Sequence, residues 1–112
     1  MNRRDELAGK ISAEREKISA IVKAHVSETE YETLSSRFKS LFEHFQDTTS
    51  WASAFIQIAI DNSGYATADL LRDYGGLPTG KLPVDVIDQL DQSRWQLADL
   101  MYEFKTELNK RS

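Results

Sequence analysis

The sequence predicts an all-α fold, an up-down four-helix bundle whose third arm is interrupted near Gly64. Three observations lead there. Apolar residues recur at helical spacing along nearly the whole chain, and no window alternates strictly as a half-buried strand would. Helix breakers are few, and both prolines and three of the five glycines fall in one segment, Gly75 to Pro83. The stretches between breaks are of similar length, which suits arms joined by short connections.

The first helix is expected from about Arg4 to His25, with Leu7, Ile11, Ile18, Ile21 and Val22 as its apolar seam. Glu14 and His25 fall at seam positions and are polar. The second helix is expected from about Glu28 to Gln46. Ser27 with Glu30 three residues on forms a capping box. Tyr31, Leu34, Phe38, Leu41 and Phe45, widened by Phe42, make an aromatic stripe fit to lie on a core. The third helix starts near Ser50 and reads WASAFIQIAID, apolar on all but a line through Ser53, Gln57 and Asp61. Such a helix is central in its domain or lies in an interface. Asn62-Ser63-Gly64 reads as a C-cap or kink. A further helical piece, Tyr65 to Tyr74, ends at Gly75-Gly76. The final helix starts at Pro83, a residue suited to the first helical position, and runs to about Lys110. Its seam is Ile87, Leu90, Arg94, Leu97, Met101, Phe104 and Leu108. At 1.5 Å per residue it is ~42 Å long, against ~33 and ~28 Å for the first two. Its end should therefore fray or engage another chain.

The chain has 112 residues, enough for one domain with its own core and no staples. Cysteine is absent, which excludes disulfides, thiolate metal sites and a cysteine nucleophile. The net charge of −4 is unevenly placed: +2 over residues 1–23, −8 over 24–103 and +2 over 104–112. An acidic middle opposes nucleic-acid binding, which needs clustered Lys and Arg, and suits a basic protein partner or plain solubility. Met1 to Lys10 is polar and holds no signal-like apolar run. The longest apolar stretch, Trp51 to Ile60, is far short of the ~20 residues that span a bilayer. Cytoplasmic residence is the expectation.

Several motifs carry candidate chemistry. Gly75 to Lys81 matches G-x-x-x-x-G-K, the start of a phosphate-binding loop. That loop needs a preceding strand, a hydroxyl after the lysine and a helix aiming its amides at phosphate. Here a helix precedes, Leu82 replaces the hydroxyl, and Pro83 lacks an amide hydrogen. The segment is therefore expected to be a flexible connector. A di-metal site in a bundle needs Glu-x-x-His pairs, and none occurs. No metal and no cofactor are expected. Arg37 and His44 resemble the Arg-x(4–6)-His signature of HEPN-type ribonucleases. The resemblance implies a small helical domain that dimerises to cleave RNA with those two residues. Along an unbroken helix they stand ~10.5 Å apart in rise, too far to share one phosphate.

The anomalies are Glu14 and Arg94, charged residues in apolar seams. The first expectation is a buried ion pair between the first and final helices. The others are a shallow seam from which both snorkel to water, or contact with a ligand or partner. Trp95 and Tyr102 lie one step outside the final seam, joined by Ala98. They either complete a wide intramolecular face or bind another chain. These features together suggest a non-enzymatic interaction module, an adaptor, inhibitor or antitoxin-like regulator. Its expected partner-binding residues are Arg94, Trp95, Ala98 and Tyr102, and its partner is a heterologous protein or a second copy. A HEPN-like ribonuclease and a structural homo-oligomer are the alternatives.

Overall fold

The structure is a computed structural model that describes residues 2–41, 51–78 and 80–110. The described chain is all-helical: α1 (Arg3–Lys23), α2 (Glu28–Ser40), α3 (Trp51–Asp61), α4 (Thr67–Asp73) and α5 (Val84–Asn109). The expected stretch of the second helix beyond Leu41, including Phe42, Phe45 and Gln46, lies outside the described residues, as does Ser50, near which the third helix is expected to start.

Local chemistry sets the helix starts. Asn2 caps α1, its Oδ1 accepting from the Asp5 amide at 2.8 Å. The capping box of α2 is formed on both sides. Ser27 Oγ accepts from the Glu30 amide at 3.1 Å, and Glu30 Oε1 accepts from the Ser27 amide at 2.9 Å. The Ser27 amide and the Lys81 ammonium, which lies 3.1 Å from Oε1, hold the Glu30 carboxyl below its usual range. Pro83 is the cap of α5, one residue before the first helical position, and its carbonyl accepts from the amides of Val86 and Ile87.

α1 packs most extensively against α5. Arg3 Nη2 donates to Glu103 Oε2 at 2.7 Å, joining the start of α1 to the later part of α5, so the two run antiparallel. α3 is the central helix, as its composition predicts. Trp51, Ala52, Ala54, Phe55, Ile56, Ile58 and Ala59 are all buried. Its rings meet α2 in one cluster. Phe38 lies 5.7 Å from Phe55 and 6.0 Å from Trp51, and Trp51 Nε1 donates to Tyr31 Oη at 3.0 Å. Trp51 thus reaches residues two turns apart on α2, and α3 starts over the middle of that helix rather than opposite its end.

The interruption after α3 falls where the sequence places it, but Gly64 does not make it by a left-handed cap. Positive φ occurs at Gly76 and Gly80 only, among the described residues. α3 closes instead through Asn62, whose amide and side-chain Nδ2 both donate to the Ile58 carbonyl at 2.9 Å.

The described residues of the connector from Gly75 to Pro83 are not all solvated as the sequence suggests. Leu77 and Leu82 are buried in the core, and Gly75 is buried as well. Gly76, at φ +78°, ends α4 in the left-handed conformation, its amide donating to the Arg72 carbonyl at 3.1 Å. A Cβ on Gly75 would sit 2.6 Å from the Leu71 carbonyl oxygen and 2.8 Å from Phe38. The spacing of leucines among glycines and prolines hides this burial, because irregular backbone has no period to betray an inward side.

Candidate functional site

α5 is the longest helix and presents two unlike faces. Its inner face buries Val86, Leu90, Ser93, Arg94 and Leu97. Arg94 is 2% exposed and is the largest fully buried side chain among the described residues. Its Nη1 donates to the Tyr65 carbonyl at 2.9 Å and to Thr67 Oγ1 at 3.1 Å, and Nη2 donates to the Ala59 carbonyl at 3.3 Å. Thr67 Oγ1 in turn donates to Asp91 Oδ1 at 2.6 Å, and that oxygen lies 3.6 Å from Arg94 Nη1. Ala59 carries one of the carbonyls that a helix end leaves without an intrahelical donor. Arg94 therefore ties the end of α3, the link after it and the start of α4 to the middle of α5. Burial pushes its guanidinium pKa down, and the nearby Asp91 pushes back.

The expected pair between Arg94 and Glu14 is not made. The counter-charge of Arg94 is Asp91, one turn away on its own helix, and its three hydrogen bonds go to the end of α3, the link after it and the start of α4. Glu14 is half-buried, and its Oε2 is shielded with no hydrogen-bond partner among the described residues. His25, the other polar seam residue, is exposed, its Nδ1 2.9 Å from the Ile21 carbonyl.

The outer face begins one residue on. Trp95 is 44% exposed and Tyr102 is 74% exposed, with half-buried Ala98 between them. The Trp95 ring lies 4.7 Å from the Arg94 guanidinium carbon, a cation–π contact that covers the buried node from outside. Of the four expected partner-binding residues, Arg94 is therefore buried beneath the line that Trp95, Ala98 and Tyr102 make. Val84, at the start of the helix, is 77% exposed. At the other end a hollow of about 280 Å³ opens beside Tyr102, walled by Arg3, Leu7, Glu103 and Thr106.

The remaining candidates lie apart from this face. Arg37 is exposed, and its Nε donates to the Tyr74 carbonyl at 3.3 Å, fastening α2 to the exit of α4. His44 lies outside the described residues. Lys81 of the glycine-rich segment pairs with Glu30, and the element before that segment is the helix α4. Among the described residues no three His, Cys, Asp or Glu side chains gather as metal ligands, and no helix is long and apolar enough to cross a membrane.

Thr67, Asp91 and the carbonyls of Ala59 and Tyr65 are the residues that sequence reasoning missed. Asp91, three before Arg94 on one helix, carried a readable signal. The carbonyls carried none, since any residue supplies one. Comparison of the chain with protein-family models, curated proteins and solved structures finds no match.

Proposed function

We propose that the protein is a small, non-enzymatic interaction module that docks the outer face of α5 on another protein, in the manner of an adaptor, inhibitor or antitoxin-like regulator. The exposure of Trp95 and Tyr102 on one side of one helix carries this reading. Trp and Tyr are the side chains that most often dominate interface energy, because each offers large, stiff area with one polar handle. The acidic middle of the chain, −8 over residues 24–103, supports a protein partner over nucleic acid. The frame reads as a four-arm bundle in which α3 and α4 together stand for one arm. The antiparallel pairing of α1 with α5 supports that reading.

The test is affinity capture from the native host with wild type and with Trp95→Ala/Tyr102→Ala. A protein recovered with wild type and lost with the folded double variant is the expected result. Equal recovery by both would move the docking site off α5. RNA cleavage that survives in the double variant and disappears in His44→Ala would replace this reading with the ribonuclease one.

A further inference from the structure

The outer face of α5 is acidic as well as aromatic, and that narrows what can sit on it. Successive residues of a helix are about 100° apart, so Val84, Asp88, Asp91, Trp95, Asp99 and Tyr102 fall within a strip about 80° wide. Three carboxylates are interleaved with three apolar or aromatic side chains. Between Val84 and Tyr102 the only basic residue is Arg94, and it is turned inward. Asp91 is engaged by Thr67. Asp88 and Asp99 are exposed and have neither an ion pair nor a hydrogen-bonded partner among the described residues. The strip is ~27 Å long, the length of about five helical turns.

Resting on the docking reading above, we infer that this strip seats a cationic amphipathic helix of a partner protein. Charge complementarity selects that occupant. Lysine or arginine on the incoming helix pairs with Asp88 and Asp99, where two unscreened carboxylates now face water. The same cations can lie over the faces of Trp95 and Tyr102. Small Ala98 between the rings leaves room for an apolar side chain. A second copy of this chain fits worse. Two such faces laid antiparallel about Trp95 set aspartate against aspartate with no lysine between them, and like charges so placed repel.

The experiment is selection of a displayed library of 18-residue helix-forming peptides against the whole protein, followed by binding of one synthesised winner. Winners rich in Lys and Arg at three- and four-residue spacing around apolar positions are expected. The winner should bind at least tenfold more weakly to Asp88→Asn/Asp99→Asn and to Trp95→Ala, with raised salt also weakening it, while the double Asn variant keeps the wild-type unfolding midpoint and Trp95→Ala remains folded. Neutral or acidic winners that still need Trp95 would overturn the cationic class and leave docking by α5 standing. Winners indifferent to Trp95 and Tyr102 would overturn both. A concentration-dependent dimer abolished by Tyr102→Ala would assign the strip to a second copy instead.

Discussion

Arg94 and Trp95 are neighbours in sequence and opposites in environment. The cation is buried, and the indole beside it is 44% exposed. A charge is costly to bury and a large ring is costly to leave in water, so both placements need a local cause. For Arg94 the cause is a set of acceptors on other elements, namely Ala59, Tyr65 and Thr67. For Trp95 the described residues supply only half a cause, the contact of one ring face with Arg94. The difference teaches that the charge on the buried side of α5 is met by acceptors from the chain, although Ser93 Oγ and Arg94 Nε have no partner among the described residues, while the rings on its outer side stand largely in water.

The hardest way to break this comparison is to remove Arg94. Arg94→Ala leaves two carbonyls and a hydroxyl short of a donor in a buried place, and it opens a cavity where the side chain stood. A loss on the order of 3 kcal/mol or more is expected in urea unfolding. Arg94→Lys should recover only part of it, because one ammonium cannot span acceptors that a planar guanidinium reaches together. Glu14→Leu, by contrast, removes a carboxylate with a shielded, unpartnered oxygen and should be neutral or slightly stabilising. The Glu14 and Arg94 effects should add within about 0.5 kcal/mol, as they do for residues without a shared interaction. Strong coupling between them would restore the ion pair that the sequence suggested.

That pair marks the limit of what was legible in the chain. Helical period placed the described helix ends within about two residues, apart from the end of α2, which was expected near Gln46 and closes at Ser40, and Ser27 with Glu30 announced the start of α2. The run WASAFIQIAID announced a central helix. These features are local, and local features leave a pattern. The partners of Arg94 lie 27 to 35 residues away in sequence, two of them are backbone carbonyls, and neither carbonyl has any sequence signature. A charged residue in an apolar seam could be read as needing a partner, but not as needing these. The candidate site was half legible for the same reason. Trp95, Ala98 and Tyr102 could be placed on one line by counting, while the depth of that line against its neighbours could not.

A second contrast separates the two halves of the connector after α4. Gly75→Ala forces a methyl group against the Leu71 carbonyl and the Phe38 ring, and a cost of about 2 kcal/mol is expected from overpacking. Gly80→Ala meets open space and carries only the strain of φ +80°, about 1 kcal/mol. Thermal unfolding of the two variants orders them directly. If Gly75→Ala were the milder of the two, the connector would be loose after all, and its leucines would not be core residues.

The smallest effects are expected on the outer face, and they sharpen the comparison most. Trp95→Ala uncovers Arg94 and loses one cation–π contact, so about 1 kcal/mol of stability should go with it. Tyr102 is 74% exposed, and its replacement by alanine should change stability by no more than about 0.5 kcal/mol. Both variants should nonetheless weaken association, each by ~2 kcal/mol where the ring is central to the contact. The separation of the two readouts is the point. A residue that serves folding moves the unfolding midpoint, and a residue kept for a partner moves only the binding curve. Suppose instead that Tyr102→Ala costs 2 kcal/mol or more in urea unfolding. The ring would then fill the hollow beside Arg3 and Leu7 in solution, the chain would cover its own aromatic line, and Tyr102 would belong with Arg94 to the buried side of α5.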